Sequence, residues 1–112
     1  MNRTTGWRWA ISFLWFGWLT PPAMAGELVG LIFDAPAARE VFVAGSFDPY
    51  WQKRHPMKKR ADGRWHVVLD LPLGRYEFQF LVDGKWAIDP RLPTVEDGLG
   101  GRNNLLLVPI GP

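Results

Sequence analysis

Few residues of this 112-residue chain carry side chains suited to catalysis, and those few lie in unsuitable places. Of the two histidines, His55 stands beside a proline, and His66 lies on the polar side of an alternating segment. Neither has a metal-type partner at suitable spacing. Asp83 and Asp89 could form a carboxylate pair, but an Asp-Gly turn and an Asp-Pro step are ordinary turn positions for aspartate. Because catalysis needs such groups to converge, we expect a protein that is not an enzyme and has no metal or cofactor.

Three aromatic residues stand out because they lie in or beside loops. Tyr50 and Trp51 are adjacent in a polar, proline-containing segment, and Trp86 follows the Asp83-Gly84 turn. An aromatic face packs against the C–H face of a sugar ring, while neighbouring polar groups bond the hydroxyls. The three rings therefore fit a sugar-binding platform, although composition alone equally allows Trp51 and Trp86 to plug the ends of a β-sandwich.

The first 25 residues have the order of a secretory signal peptide. Arg3 and Arg8 come first, the apolar run 9–19 follows, and the small-residue pattern Ala23-Met24-Ala25 comes last. The apolar run is shorter than the roughly 20 residues that span a bilayer, which favours cleavage after Ala25 over an uncleaved anchor. We expect a signal peptide at 1–25, one mature domain at 26–112, and a periplasmic or secreted product.

Charge gives little reason to expect a nucleic-acid partner. The chain has 13 Lys and Arg residues against 11 Asp and Glu, and Arg3 and Arg8 belong to the expected leader, so the mature part is neutral. Nucleic-acid affinity depends mainly on neutralising phosphates. One basic cluster, residues 53–55 and 58–60, remains as a solvated loop flank or an anion site. Since cysteine is absent, packing alone must hold the domain together.

Hydrophobic alternation predicts an all-β domain. Residues 64–71 and 75–82 each place large apolar side chains on one side, which is typical of half-buried strands whose faces oppose each other. Asp83-Gly84 between 75–82 and the next run is a strong hairpin signal. Six short strands with turns about every ten residues indicate an antiparallel β-sandwich, and they are expected at residues 27–33, 40–44, 64–71, 75–82, 85–87 and 104–108.

These segments resemble a known family. The resemblance rests on residues 41–47 (VFVAGSF), 70–78 (DLPLGRYEF) and 80–86 (FLVDGKW), with Asp89-Pro90 and Asn103-Asn104 following in order. Together they are similar to the glycogen-binding domain of the AMP-activated protein kinase β subunit, within carbohydrate-binding module family 48 (CBM48), which also includes the N-terminal domains of isoamylases and branching enzymes. The resemblance covers nearly all of 26–112 and implies an immunoglobulin-like sandwich that binds α-1,4-linked glucose chains.

The resemblance also implies a set of sugar-contacting residues. The first platform tryptophan of the family falls on Tyr50, with Trp51 adjacent, and the second falls on Trp86. The remaining contacts fall on Gln79 in place of a lysine, Leu99, Gly101 in place of a threonine, and Asn103. The implied partner is an α-glucan or maltooligosaccharide, bound more weakly than by an unaltered site. The alternative is an immunoglobulin-like module that has lost sugar binding and docks on a partner protein or envelope component; a small hydrolase has the least support.

Overall fold

The computed structural model describes residues 26–109, and the predicted signal peptide, 1–25, lies outside the described residues. Nine strands make up most of this part of the chain: β1 (Glu27–Asp34), β2 (Val41–Gly45), β3 (His55–Pro56), β4 (Lys58–Lys59), β5 (Arg64–Leu71), β6 (Gly74–Val82), β7 (Lys85–Ala87), β8 (Thr94–Glu96) and β9 (Arg102–Val108). A short 3-10 turn at Pro49–Trp51 follows β2. Within residues 26–109 no helix has the length and apolar character needed to cross a membrane.

The strands form two antiparallel sheets. The smaller sheet has the order β1-β5-β4, and the larger has the order β3-β2-β6-β9-β8, with β7 paired to the last residues of β6. β1 and β5 pair over their full length, from Glu27 opposite Leu71 to Asp34 opposite Arg64. The predicted all-β, antiparallel architecture is confirmed.

The core lies between the two sheets and follows from the alternation along β5 and β6. Trp65 of β5 is 6% exposed, and Phe78 and Phe80 of β6 are 1% and 0% exposed. Phe33 of β1 stacks on Phe80 with ring centroids 4.3 Å apart, and Trp65 Nε1 donates a hydrogen bond to Ala35 O at 2.8 Å. The alternating apolar faces predicted for residues 64–71 and 75–82 therefore share one core.

The hairpin from β6 to β7 is fixed by Asp83-Gly84. Both residues adopt positive φ, 48° and 85°, which glycine allows without cost and aspartate tolerates. Asp83 Oδ1 accepts hydrogen bonds from the backbone N–H groups of Arg39 and Glu40, each at 2.9 Å. The bond from Glu40, followed by that from Arg39, lowers the pKa of Asp83. Both bonds tie the hairpin to the start of β2, so Trp86 stands on an anchored strand.

The stretches between the predicted strands contain further short strands that the alternation pattern did not reveal. Residues 46–57 include the 3-10 turn and β3, and residues 89–101 include β8. Fully buried Asn104 fixes the second segment, since its Oδ1 accepts from Asp89 N and its Nδ2 donates to Asp89 O, both at 2.8 Å. Strands of two or three residues are too short to show a period of two, which is why sequence reasoning missed them.

Candidate functional site

An open groove on the larger sheet brings together three of the predicted site residues. Trp51, Gln79 and Trp86 line this groove, which has a volume of about 320 Å³. Gln79 alternates with buried Phe78 and Phe80 along β6, so its side chain lies on the outer face of the sheet. The floor of the groove is therefore part of the β6 ladder, while the two indole rings come from the 3-10 turn and from β7.

Trp86 is an exposed ring on an ordered strand. It pairs in register with Leu81 of β6, and 49% of its surface is exposed. Neither Trp86 nor Trp51 belongs to the hydrophobic core cluster. The two rings therefore do not plug the ends of the sandwich, which was the alternative that composition left open.

The 3-10 turn determines which of the two adjacent aromatics faces the groove. Tyr50 and Trp51 both have positive φ, 56° and 55°, and Trp51 N–H donates to Asp48 O at 3.1 Å. In this conformation Trp51 is partly buried and lines the groove, whereas Tyr50 is 89% exposed and does not line it. The ungapped resemblance placed the first platform ring at Tyr50, but the structure places Trp51 beside Gln79.

A chain of polar side chains orients Gln79. Its Nε2 donates to Asn103 Oδ1 at 2.7 Å and to Arg102 O at 3.3 Å. Asn103 Nδ2 in turn donates to Glu77 Oε1 at 3.0 Å, and Arg75 Nη1 donates to Glu77 Oε2 at 3.0 Å. The hydrogen bond from Asn103, followed by that from Arg75, lowers the pKa of Glu77. Because the Gln79 amide nitrogen donates to groups within the protein, its Oε1 atom is left as the acceptor for a ligand. Asn103 does not line the groove and instead orients Gln79.

Leu99 stands on a tight turn outside the groove lining. Asp97 Oδ1 accepts hydrogen bonds from the backbone N–H groups of Leu99 at 2.7 Å and Gly101 at 2.9 Å, and these bonds lower the pKa of Asp97. Gly98 and Gly100 supply positive φ on either side of Leu99, whose side chain is 91% exposed. A Cβ atom on Gly101 would lie 2.8 Å from Asp97 Oδ2, so a threonine there would disturb the turn.

Arg54 joins the site although motif matching did not select it. Its guanidinium carbon lies over the Trp86 ring, 5.8 Å from the ring centroid, within the range of cation–π attraction. Arg54 does not line the groove itself. In the sequence, Arg54 stands out only as part of the basic cluster of residues 53–55 and 58–60. No sequence pattern links that cluster to Trp86.

Three of the four groups considered for catalysis, those of His55, Asp83 and Asp89, have structural partners instead. His55 Nε2 lies 2.6 Å from Asp48 Oδ2, the Asp83 carboxylate accepts from backbone amides, and the Asp89 carboxylate accepts from Arg91 N at 2.9 Å and Arg91 Nε at 3.2 Å. Within residues 26–109 no three His, Asp or Glu side chains are grouped so as to hold a metal ion. The groove offers two indole rings and an amide, groups that bind a ligand without transferring protons.

Comparison with known sequences gives the family. Residues 31–110 match the family described as the glycogen recognition site of AMP-activated protein kinase. The chain belongs to this family. The matched region is a carbohydrate-binding module, a non-catalytic domain, and the family expected from residues 41–47, 70–78 and 80–86 is confirmed.

Other members of this glycogen-recognition family are parts of longer proteins. The chain is 44% identical over 72 residues to Protein PTST homolog 2, chloroplastic, of Arabidopsis thaliana, covering 64% of this chain and 13% of that protein. It is 41% identical over 70 residues to 5′-AMP-activated protein kinase subunit beta-2 of Mus musculus, covering 62% and 25%. The chain thus spans a quarter or less of the length of these curated relatives.

Solved structures with a similar fold include a pullulanase. Apo pullulanase from Paenibacillus barengoltzii superposes with a TM-score of 0.53 and 28% identity, covering 73% of this chain and 13% of that one. A variant of the same pullulanase complexed with maltotetraose gives a TM-score of 0.54 and 27% identity, covering 75% and 14%. These matches agree with the two-sheet architecture.

Proposed function

We propose that this module binds α-1,4-glucan chains, of the glycogen, starch or maltooligosaccharide type, without converting them. The observation that carries the proposal is the groove in which Trp51 and Trp86 flank the oriented amide of Gln79. The glycogen-recognition family supports a carbohydrate ligand, and the similarity to a pullulanase complexed with maltotetraose supports an α-glucan.

The two indole rings supply the apolar part of binding. Each ring can stack on the C–H face of one glucose unit, as aromatic side chains do with other flat or partly apolar rings. Trp86 is held by the β6–β7 ladder, and Trp51 by the closed 3-10 turn. Rings that are already ordered lose little freedom on binding, so more of the contact energy appears as affinity.

Polar and peripheral residues complete the proposed site. Gln79 accepts a hydrogen bond from a sugar hydroxyl through Oε1, while Asn103 keeps the amide in that orientation. Leu99 and Tyr50 are almost fully exposed and contact glucose units beyond the groove. The missing charge at Gln79 and the missing hydroxyl at Gly101 make the affinity modest, since a charged hydrogen bond is roughly twice as strong as a neutral one.

Trp86→Ala tests the groove most directly, measured by binding to β-cyclodextrin and retention on amylose resin. If sugar stacking resembles base stacking on aromatics, removing the ring costs about 1–3 kcal/mol. Affinity should then fall about 5- to 100-fold, while the thermal transition is retained. The matched control is Trp65→Ala, which removes a buried indole and should lower the free energy of unfolding by about 3–5 kcal/mol.

Two outcomes would contradict the proposal. Unchanged β-cyclodextrin affinity in folded Trp86→Ala would show that the groove is not the sugar site. Failure of the parent chain to bind either β-cyclodextrin or amylose would favour the alternative, an interaction module of the same fold that docks on a partner protein.

We also propose that the module works outside the cytoplasm, after removal of residues 1–25. The support is the order of basic, apolar and small residues from Arg3 to Ala25. N-terminal sequencing of the exported product should therefore begin at Gly26. A product that begins at Met1 would show that the leader is retained, as in an uncleaved anchor.

A further inference from the structure

A second groove lies on the outer face of the smaller sheet, along the edge strand β4. Its volume is about 420 Å³, and its lining includes Lys58, Lys59, Arg60 and His66. Val68 of β5, which is 64% exposed, adds an apolar wall. Because the two sheets pack back to back around the core, this groove lies on the opposite side of the molecule from the Trp51–Trp86 groove.

Two cations in this groove lack an internal partner. Lys58 is opposite His66 in the β4–β5 ladder, so both side chains lie on the same face of the sheet. Lys59 Nζ donates to Pro36 O at 2.6 Å and is thereby occupied. Among residues 26–109, Lys58 and Arg60 form no ion pair.

No carboxylate lines the groove to cancel this charge. The nearby Asp62, which interacts electrostatically with His66, accepts hydrogen bonds from Arg64 N at 2.9 Å and Arg64 Nε at 3.0 Å, and the Arg64 guanidinium offsets its charge. Asp34 and Asp70 belong to the same sheet but are not part of the lining. The groove therefore has a net positive field.

His66 supplies an independent indication of a ligand. Its Nε2 atom is buried and has no hydrogen-bond partner among residues 26–109, and the ring stands in register between Ile32 of β1 and Lys58 of β4. A buried polar atom without a partner is destabilising, and an anion that bonds it once the covering side chains move aside removes that cost. In the tautomer that carries its proton on Nε2, His66 would donate to an oxyanion.

We propose that Lys58, Arg60 and His66 bind a phosphate group, either as the free ion or as a monoester on a sugar. A phosphate group offers at least three acceptor oxygens and a charge of about −1.5 to −2. These match three donor side chains, two of which are cations. The planar guanidinium of Arg60 can bond two of those oxygens. A carboxylate carries only one negative charge and would leave one of the two cations unmatched. The site is separate from the proposed glucan groove and stands if that proposal fails.

The test titrates inorganic phosphate into the full chain at low ionic strength and follows the His66 ring signals by NMR. The parent should show saturable shifts. Lys58→Gln combined with Arg60→Gln should weaken binding at least about tenfold, the loss expected when a charge-assisted hydrogen bond is removed. The matched control, Lys53→Gln combined with Lys85→Gln, removes two exposed charges outside the groove and should weaken binding less than about twofold.

Two further arms identify the source of the phosphate and guard against misfolding. If glucose 6-phosphate binds more tightly than inorganic phosphate and glucose alone does not bind, the ligand is a sugar phosphate. If the two phosphates bind with equal affinity, the site recognises the phosphate group alone. Both double variants should keep the parental melting transition. Shifts that do not saturate, or an equal loss in the control variant, would show a solvated basic surface and overturn the proposal.

Discussion

At the scale of single residues, the proposed binding site depends on a backbone conformation that its sequence does not favour. Tyr50 and Trp51 occupy the left-handed region at φ 56° and 55°, which costs about 1–2 kcal/mol for a residue with a Cβ atom. Such strain is retained where the surrounding structure enforces it, often beside a binding site. Here it turns Trp51 toward Gln79 and leaves Tyr50 outward.

Trp51→Ala and Tyr50→Ala should therefore differ in their effect on glucan affinity. Loss of the groove ring at Trp51 removes one stacking surface, so affinity for β-cyclodextrin should fall about 5- to 100-fold. Loss of Tyr50 should change that affinity less than about twofold, because the ring lies outside the groove and its contact is solvent-exposed. Calorimetric titration of both variants measures the difference. The reverse order of effects would assign the platform to Tyr50, as the ungapped resemblance implied.

At the scale of elements, the turn of residues 97–101 presents an apolar side chain to solvent in a fixed position. Asp97 holds the turn through two backbone hydrogen bonds, to Leu99 and Gly101, and two glycines supply the positive φ values. A leucine on an unstructured loop would lose more conformational freedom on binding a ligand than Leu99 does on this turn. We therefore propose that exposed Leu99 contacts the ligand from this fixed position.

Asp97→Ala and Leu99→Ala should act on the same interaction. Partial burial of a leucine is worth about 1 kcal/mol, so Leu99→Ala should weaken binding of a long maltooligosaccharide about fivefold. Asp97→Ala should weaken it by a similar or smaller factor, because the turn is no longer fixed. The double variant should bind no more weakly than Leu99→Ala, since residues acting through one contact are not additive. Additive losses would show that Asp97 influences the ligand by another route.

At the scale of the whole molecule, several carboxylates stabilise the fold by accepting backbone hydrogen bonds. Bonds from Glu40 and Arg39 lower the pKa of Asp83, and bonds from Leu99 and Gly101 lower the pKa of Asp97. A group whose pKa is lower in the folded state stabilises the fold above its unfolded-state pKa. That stabilisation is lost as the pH falls through the lower, folded-state value.

The melting temperature should consequently change little between about pH 7 and pH 5 and fall below about pH 4, where these carboxylates become protonated. Asp83→Asn should lower the melting temperature at neutral pH, because its charge-assisted bonds join the β6–β7 hairpin to β2. It should also make the fall on acidification smaller, which thermal unfolding at several pH values measures. Asp70→Asn, at an exposed position on β5, is the control and should follow the parent. Parallel acid profiles for Asp83→Asn and the parent would contradict this role.

The sequence by itself determined the architecture and most of the core. Period-two alternation in residues 64–71 and 75–82, together with the Asp83-Gly84 turn, is local information, and it predicted β5, β6, β7 and their opposed apolar faces. The position of Trp86 on a short, exposed strand followed from the same turn. Motif spacing likewise predicted the glycogen-recognition family, because the hairpin and strand segments that resemble it lie close together in the chain.

Only the tertiary structure decided which side chains meet in the site. Trp51, rather than Tyr50, faces Gln79 because the 3-10 turn adopts two consecutive left-handed residues, a conformation that no residue type there demands. The partners of Gln79 and the contact of Arg54 with Trp86 join residues more than twenty positions apart. Alternation and turn signals act over a few residues, whereas these contacts arise from how the sheet places distant strands side by side.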